Sequence, residues 1–378
     1  MNTLTVVSHG LEEAAEQEIK SLTKAKTKIE EFLVLAQTTQ ENICLLAYKA
    51  QTIDYVGELL AEIPYKDEED LLDQAKTAIK KVPWSDWVDK TTTFRVTGIS
   101  CDTDLPREEM AAEIGALILE QNKKLEVNLS KPELNILLVL TKKKAYLAID
   151  YAGKDLHKRE YKIFPNPASL RGTIAAGLLH IAQWKEKEIL LDPFSWSGEI
   201  CIEAALRQTK TSINFYSQDK LAFKKLKPLQ LDWKKWFSKH DKKTEVKKPN
   251  IFCYDAKMPN VTAAKKNAKI AGIHKAIKFS RFDVDWLDTK LEKKSVHKII
   301  THPPEPSKFS NARDLKKRYL ELFYQAAFIL KPKGTLTIIQ RDQTLIAEAA
   351  KEKGFAITLE KEVFSGKGKL QVKGYQKE

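Results

Sequence analysis

The spacing of apolar residues changes partway along the chain and divides it into regions of different predicted architecture. Near the start, the segments TLTVVS, EEFLVLAQT and ENICLLAYK have the apolar content of short strands. Between them, GLEEAAEQEIKSL repeats its apolar residues at helical spacing, at Leu11, Ala15, Ile19 and Leu22. Residues 1–62 are therefore predicted to form a small α+β unit of the ferredoxin-like type.

A second α+β unit is predicted over residues 63–152. Its pattern indicates helix EEDLLDQAKTAIKKV, strand TTFRVTGIS, helix PREEMAAEIGALILEQN and the hairpin ELNILLVLTKKKAYLAIDYAG. The hairpin turns over Lys142, Lys143 and Lys144, which are either a solvated turn or a contact for a phosphate group. A polar, basic linker punctuated by proline follows over residues 153–168 and marks a domain boundary.

Strand and helix patterns alternate over residues 169–378. The strands EILLD, NIFCYD, IKFSRFD, HKIITHPP and GTLTIIQ, with helical segments among them, predict an α/β domain with a doubly wound sheet. Ligands of such sheets bind at the carboxyl ends of the strands. The strand ends at Asp192, Asp255 and Asp283 and the HPP at residues 302–304 are therefore expected to converge on one crevice.

The net charge of +13 is concentrated in this last region. Residues 169–378 carry 42 lysine and arginine residues against 23 acidic residues, whereas the preceding 168 residues are slightly acidic. Such an excess of cations suits a polyanionic partner such as RNA, bound with an affinity that depends on salt. A lysine-rich surface that serves only solubility is the alternative.

The composition also restricts the cellular location that we expect and the kinds of cysteine site that the chain can form. The four cysteines, Cys44, Cys101, Cys201 and Cys253, are scattered, which predicts buried thiols and neither a disulfide framework nor a metal site. No apolar run approaches the roughly 20 residues that span a bilayer. The N-terminus also lacks the pattern of a signal peptide, so a cytosolic protein is expected.

The segment ILLDPFSWSGEICIEAAL contains the most informative motif. An apolar run, a carboxylate, a turn and a helix-forming segment make a strand-to-helix junction of the kind that holds nucleotide cofactors. Such turns favour glycine, because a residue without a Cβ lets the backbone come close to a ligand. Trp196 occupies one of these positions, where a bulky side chain is least expected.

The order of motifs resembles the class I S-adenosylmethionine-dependent methyltransferases. It is most similar to the THUMP-domain RNA guanine-N2 methyltransferases of the archaeal tRNA and bacterial 23S rRNA type. SHGLEEAAEQEIKSL resembles their opening helix, residues 65–152 their THUMP module, and DLHKREYKIFPNPASLRGTIAAGLL their linker and first methyltransferase helix. LLDPFSWSGEICIEAAL stands where the family has DP-F/M-C/S-GSGT-x-x-IEAA, and ITHPPEPSK stands where it has T-N-PP-Y.

The resemblance implies a fold, a cofactor, a partner and a set of site residues. It implies a C-terminal Rossmann-like methyltransferase domain, S-adenosylmethionine as cofactor, and RNA as partner, with tRNA favoured over rRNA. Asp255 is expected to bind ribose hydroxyls and Asp283 the adenine amino group. The residues implied for the cofactor are Asp192, Phe194, Trp196, Ser197, Gly198, Asp255 and Asp283. Those implied for catalysis are His302, Pro303, Pro304 and Glu305, and the candidate RNA contacts are Lys142, Lys143, Lys144, Lys158 and Arg159.

Three residues depart from the family pattern where chemistry is expected. Trp196 replaces a glycine, His302 replaces the asparagine that orients the amine, and Glu305 replaces the aromatic residue that stacks on a flipped base. A neutral imidazole still accepts one hydrogen bond from an amine. Glu305 cannot stack, although Phe309 could supply the lost ring.

Two hypotheses of function follow. The first is an S-adenosylmethionine-dependent RNA methyltransferase that acts on guanine N2 of tRNA. The second is an RNA-binding chaperone or assembly factor with an inactive methyltransferase fold, in which Asp192 and Gly198 only build the turn and Asp255 only caps a helix. A DNA amine methyltransferase is a third hypothesis, against which the THUMP-like region argues.

The basic segment KKLKPLQLDWKKWFSKHDKK adds an ambiguous feature to the C-terminal domain. Its lysines are placed to cover an RNA backbone. Its aromatic residues Trp233, Trp236 and Phe237 either stack on bases or pack one face of a helix onto the domain.

Overall fold

The computed structural model describes residues 2–88, 91–306, 311–366 and 368–378. These residues form two compact units. Unit 1 contains Met1–Val7, Glu16–Leu156 and Ser217–His240. Unit 2 contains Ser8–Ala15, His157–Tyr216 and Asp241–Glu378.

The described part of the first half of the chain contains eight strands and four helices. In chain order they are β1 (Asn2–Val6), α1 (Glu12–Thr23), β2 (Lys26–Glu30), β3 (Leu33–Gln37), α2 (Gln40–Lys49), β4 (Tyr55–Pro64), α3 (Glu68–Lys80), β5 (Thr92–Ser100), α4 (Arg107–Gln121), β6 (Leu125–Val127), β7 (Leu134–Leu140) and β8 (Lys144–Asp150). The eight strands form one sheet in the order β2-β3-β1-β4-β8-β7-β5-β6.

The predicted division between residues 62 and 63 falls inside β4. This strand pairs with β1 on one side and with β8 on the other, so the two predicted α+β units share a single sheet. The segment ENICLLAYK was predicted as a strand, and this prediction is wrong because it lies in α2. Thr39 caps that helix by accepting a hydrogen bond from the amide of Asn42 at 3.3 Å. A continuous apolar run of this length fits a buried strand or a buried helix equally well.

The second half supplies the remaining seven helices and seven strands. They are α5 (Gly172–Ile181), β9 (Leu190–Asp192), α6 (Glu199–Thr209), α7 (Trp233–His240), β10 (Ile251–Asp255), α8 (Met258–Ile270), β11 (Ile277–Arg281), α9 (Leu287–Lys290), β12 (Val296–Thr301), α10 (Ala312–Ile329), β13 (Leu330–Gln340), α11 (Thr344–Glu352), β14 (Phe355–Ser365) and β15 (Gly368–Lys377). All of them except α7 belong to unit 2.

The strands of unit 2 form a seven-stranded sheet in the order β11-β10-β9-β12-β13-β15-β14. Strands β9 to β13 run parallel, and β15 pairs antiparallel with both β13 and β14. The predicted α/β architecture with a doubly wound sheet is confirmed. The strand order reverses between β9 and β12, and this is the switch point where open sheets of this kind bind ligands.

The basic segment Ser217–His240 belongs to a different compact unit from the one that the predicted domain boundaries assign it to. The sequence predicts it within the methyltransferase domain, but it clusters with unit 1. The physical reason is the aromatic face of α7. Trp236 and Phe237 are buried, with ring centroids 5.9 Å and 4.9 Å from that of Tyr48 on α2. These two aromatic residues therefore pack inside unit 1, and the lysines of α7 stay on its surface.

A buried ion pair joins the linker to helix α6 of unit 2. Arg159 Nε donates to Glu203 Oε1 at 2.7 Å, and its Nη2 donates to Oε2 at 3.2 Å. The two side chains are 1% and 0% exposed. The Tyr161 hydroxyl donates to the same carboxylate at 2.8 Å. The prediction that Arg159 contacts RNA is therefore wrong, because its guanidinium is enclosed and already paired.

We expect Glu203→Gln to destabilise the protein by about 3–5 kcal/mol, because it removes the carboxylate charge that pairs with the buried guanidinium of Arg159. Replacing both members by Arg159→Met and Glu203→Leu should recover most of that loss. Urea unfolding followed by circular dichroism measures both effects. The control Glu348→Gln, which removes an exposed pair with Lys316, should change stability by less than about 1 kcal/mol. Equal effects of Glu203→Gln and Glu348→Gln would contradict this assignment.

Candidate active site

The candidate site lies at the carboxyl ends of β9, β10 and β12, on either side of the switch point. Asp192 ends β9 and is almost fully buried. Its Oδ1 accepts hydrogen bonds from the Thr301 hydroxyl at 2.6 Å and from the Phe194 amide at 3.2 Å. Burial raises the pKa of Asp192 to about 7, against the opposing effect of these two donors. Asp192 thus ties the end of β9 to the end of β12.

Gly198 closes the turn between β9 and α6. Its φ of +89° lies in the left-handed region, which glycine adopts without strain. Its amide donates to the carbonyl of Ser195 at 2.6 Å, and a Cβ at this position would lie 2.8 Å from the Cβ of Ala264. Both the conformation and the close packing require a glycine here, so the turn of the family motif is retained.

Trp196 bridges three strand ends. Its backbone has a φ of +47°, which costs a residue with a side chain roughly 1–2 kcal/mol. Its amide donates to Asp255 Oδ2 at 3.1 Å, and its indole Nε1 donates to the carbonyl of His302 at 2.7 Å. Trp196 therefore keeps the conformation that glycine favours, while its ring reaches from the loop after β9 to the loop after β12.

Asp255, at the end of β10, holds the loop backbone in place. Besides the amide of Trp196, its carboxylate accepts hydrogen bonds from the Lys257 amide at 2.9 Å and from Asn260 Nδ2 at 3.0 Å. Burial raises the pKa of Asp255 above its usual value, and these donors oppose the shift. The side chain thus holds the backbone just before α8, whose N-cap residue is Lys257, and the contact with a ribose stays a prediction.

The other residues predicted for the cofactor have different surroundings. Asp283 is half-buried, two residues after β11, and accepts the Asp285 amide at 3.5 Å. Phe194 is buried in the core. Ser197 is fully buried, and its hydroxyl donates to Glu199 at 2.7 Å. The Ser197 hydroxyl is thus engaged inside the protein, and the adenine contact of Asp283 stays a prediction.

The loop after β12 is fixed through its carbonyl groups. Gln340 Nε2 donates to the carbonyls of Pro303 at 2.9 Å and Pro304 at 3.1 Å. The Tyr319 hydroxyl donates to the Pro304 carbonyl at 2.5 Å. The two prolines lack amide hydrogens, so the loop is held by the acceptors that remain. Together with the bond from Trp196 to His302, these contacts engage three consecutive carbonyls.

His302 and Glu305 face each other across this loop. His302 Nε2 lies 3.5 Å from Glu305 Oε1, and the imidazole is buried. Glu305 Oε1 also accepts a hydrogen bond from the Arg341 amide at 2.8 Å. Burial raises the pKa of Glu305, but the neighbouring His302 ring and the hydrogen bond from the Arg341 amide outweigh it and hold the pKa below its usual value. Phe309, the predicted substitute ring, lies outside the described residues.

The predicted lysine contacts lie on the surface and are partly paired. Lys142 forms an ion pair with Asp102 at 2.5 Å, and Lys144 forms one with Glu62. Lys143 and Lys158 are exposed. These four lysines stay candidate RNA contacts, and the solvated-turn interpretation accounts for the ion pairs of Lys142 and Lys144.

Sequence reasoning missed the amides that support the turn after β9. The amide of Asn166 donates to the Ser197 hydroxyl at 3.2 Å, and its side chain donates to Asn260 Oδ1 at 3.1 Å. Asn267 Nδ2 donates to the Ser197 carbonyl at 3.1 Å. The signal was an asparagine between two prolines in FPNP, and the polar Gln340 at the end of the apolar strand GTLTIIQ was a second one.

No helix in the described part of the chain is both long and apolar enough to cross a bilayer.

Comparison with known proteins matches both halves of the chain. Residues 65–150 match the THUMP domain, and residues 159–372 match the RMKL-like methyltransferase domain. The tRNA (guanine(6)-N2)-methyltransferase of Methanocaldococcus jannaschii is 27% identical, over 97% of each chain. The enzyme of the same name from Archaeoglobus fulgidus is 26% identical, over 94% of this chain and 87% of that one.

Solved structures agree with the fold. A possible methylase from Clostridium difficile 630 superposes with a TM-score of 0.82 at 24% identity, over 100% of this chain and 98% of that one. A putative methyltransferase, SMU.472, complexed with SAH, superposes with a TM-score of 0.79 at 18% identity, over 100% and 98%. Because the domain match at residues 159–372 covers more than half of the sequence and has the strand-end architecture described above, the chain belongs to the RMKL-like methyltransferase family, joined to a THUMP domain.

Proposed function

We propose that the protein is an S-adenosylmethionine-dependent RNA methyltransferase that modifies the exocyclic N2 of guanine in tRNA. The observation that carries the proposal is the meeting of the motif turn, two acidic strand ends and the HPPE loop at the switch point, where Trp196 contacts both Asp255 and His302. The relatives matched over nearly their whole length are named tRNA guanine-N2 methyltransferases. Ribosomal RNA methyltransferase K/L proteins match about half of this chain, which supports rRNA as the alternative substrate.

The residues present fit S-adenosylmethionine on two structural grounds. The left-handed turn at Gly198 is intact, and the acidic residues Asp192, Asp255 and Asp283 are in place. The hydroxyl of Ser195, in the same turn, is buried and has no hydrogen-bond partner in the described part of the protein. An orphaned buried hydroxyl is expected where a polar ligand completes a site. Asp255 would hold the ribose and Asp283 the adenine.

The bound cofactor would supply a methyl group that is already activated on a sulfonium. The protein then needs little acid-base chemistry and has to hold the amine in line with that group. The loop at residues 302–305 is suited to this task because Gln340 and Tyr319 fix its backbone. A fixed loop presents the acceptor in one geometry.

The second candidate function is RNA binding without turnover. It is favoured by the hydrogen bond between the Trp196 indole and the His302 carbonyl, because this ring occupies the space between the two strand ends. The cofactor binds only after the indole leaves that carbonyl.

The assignments of the sequence stay as proposals. We propose that residues 1–62 form an N-terminal unit and that residues 63–152, which follow it in sequence, bind the RNA as a THUMP module. Residues 153–168 then link these regions to the methyltransferase domain at residues 169–378. The proposed RNA contacts are Lys142, Lys143, Lys144 and Lys158. We also propose a cytosolic location, as expected from the tRNA substrate proposed above.

Titration calorimetry with S-adenosylmethionine tests the first function directly. We expect the native protein to bind, and Trp196→Gly to bind about fivefold more tightly, because it no longer has to break a hydrogen bond worth about 1 kcal/mol. The matched control Trp233→Gly, in unit 1, should leave the affinity unchanged. Binding by Trp196→Gly alone would favour RNA binding without turnover, and binding by neither protein would refute the cofactor.

The lysines of α7 provide a test of the RNA surface. Residues 1–168 carry 22 basic and 28 acidic residues, whereas Ser217–His240 carries seven lysines and two aspartates. Lys234 and Lys235 are exposed on α7. We expect Lys234→Gln with Lys235→Gln to weaken tRNA binding and to reduce the slope of log K against log salt by about 0.7–0.9 per lost phosphate contact.

Filter binding at several salt concentrations measures that slope. The control is the pair Lys351→Gln and Lys353→Gln, two lysines at the end of α11 in unit 2. Equal slopes in the native protein and in the α7 variant would show that α7 does not contact RNA.

A further inference from the structure

His302 presents a buried imidazole that is not used by the protein around it. The residue is 9% exposed. In the described part of the chain, neither ring nitrogen has a partner with hydrogen-bond geometry. An unused buried polar group is rare in native proteins and calls for an explanation. Here it lies in the loop that the family uses to hold its substrate.

Glu305 is the only described acidic group within ion-pair distance of that ring. Its Oε1 lies 3.5 Å from His302 Nε2. The Arg341 amide, which follows β13, anchors the same oxygen at 2.8 Å. The Arg341 amide therefore anchors the carboxylate oxygen that lies nearest the ring. Contacts of this length shorten when a ligand completes the site.

The loop backbone leaves the ring little freedom to move elsewhere. The His302 carbonyl accepts the Trp196 indole, and the next two carbonyls accept Gln340. The side chain of Gln340 is fully buried, so its position is set by the sheet. Since Gln340 holds the main chain that follows His302 and Nε2 faces Glu305, Nδ1 is the ring nitrogen left to meet a ligand.

We infer that Glu305 holds the Nε2–H form of His302, so that Nδ1 accepts a hydrogen bond from the N2 amine of the guanine substrate. This inference rests on the proposed function. The hydrogen bond made by one ring nitrogen sets the protonation of the other. His302 then contacts the substrate in place of the asparagine of the family motif, and Glu305 is its positioning residue. In this role, the two departures from the family motif, at residues 302 and 305, act together.

The His302 imidazole also provides an acceptor for the proton that guanine N2 loses on methylation. When guanine N2 forms its bond to the methyl carbon, the electron pair of the broken carbon–sulfur bond stays on sulfur. The nitrogen, which has shared its lone pair, gives up one of its two protons. That proton passes to Nδ1 of His302, and the Nε2–H beside Glu305 keeps the resulting imidazolium paired with a carboxylate. An asparagine oxygen accepts the hydrogen bond but does not take the proton.

Nuclear magnetic resonance of the histidine rings tests the pair without any substrate. In protein labelled with ¹⁵N-histidine, the His302 resonance is assigned from its absence in His302→Asn. We expect a downfield Nε2–H proton in the native protein. It should move upfield or be lost to exchange in Glu305→Met, which removes both oxygens, and be largely restored in Glu305→Gln, which keeps an acceptor. Glu348→Met, at an exposed carboxylate on α11, is the control.

Methyl transfer to unmodified tRNA tests the role of the pair. His302→Phe should lower kcat by about 100-fold or more, and Glu305→Met by about tenfold, with the KM for tRNA unchanged. His302→Asn keeps the hydrogen-bond acceptor but cannot take the proton, so its activity should lie between that of His302→Phe and that of the native protein. In that background Glu305→Met should have no further effect, because residues that act as a unit are not additive. Circular dichroism melts confirm that each variant is folded.

The outcomes separate this inference from the proposed function. An unchanged His302 Nε2–H resonance in Glu305→Met overturns the pairing, whatever the activity. Additive losses in the double variant also overturn it. A native protein that transfers no methyl group refutes the proposed function, and the proposed role of His302 with it, while the resonance still decides whether Glu305 orients the ring.

Discussion

The hydrogen bond from the Trp196 indole to the His302 carbonyl is the contact around which the candidate site is arranged. It joins the loop after β9 to the loop after β12 across the point where the strand order reverses. The same residue binds Asp255 through its amide, so one side chain and its backbone connect three strand ends. Open sheets of this kind bind their ligands at this point.

The remaining departures from the family pattern follow from the same loop. Because Trp196, Gln340 and Tyr319 hold its carbonyls, the loop has side chains and not main-chain acceptors to offer a substrate in the proposed reaction. His302 and Glu305 are the side chains so placed. The intact turn at Gly198 and the buried, hydrogen-bonded Asp192 show that the scaffold beneath these changes has kept its form.

Much of this architecture was readable from the sequence, since apolar periodicity fixes which segments are strands and the strand ends are marked by acidic residues. Other features depend on packing that no local pattern contains. The partner of Arg159 is Glu203, 44 residues away in sequence. Because both side chains are buried together, Arg159 forms a core ion pair and not the predicted RNA contact. The basic segment that contains α7 lies in unit 1 because Trp236 and Phe237 pack against Tyr48 there. The role of Gln340 depends on a loop 36 residues earlier.

The proposed function depends most directly on whether the protein transfers a methyl group to RNA. The measurement is incubation of the full chain with S-adenosylmethionine carrying a labelled methyl group and an unmodified tRNA transcript, followed by digestion and identification of the labelled nucleoside. We predict label in N2-methylguanosine. Binding of the tRNA without any labelled nucleoside would contradict the account and identify the protein as an RNA-binding member of a methyltransferase family.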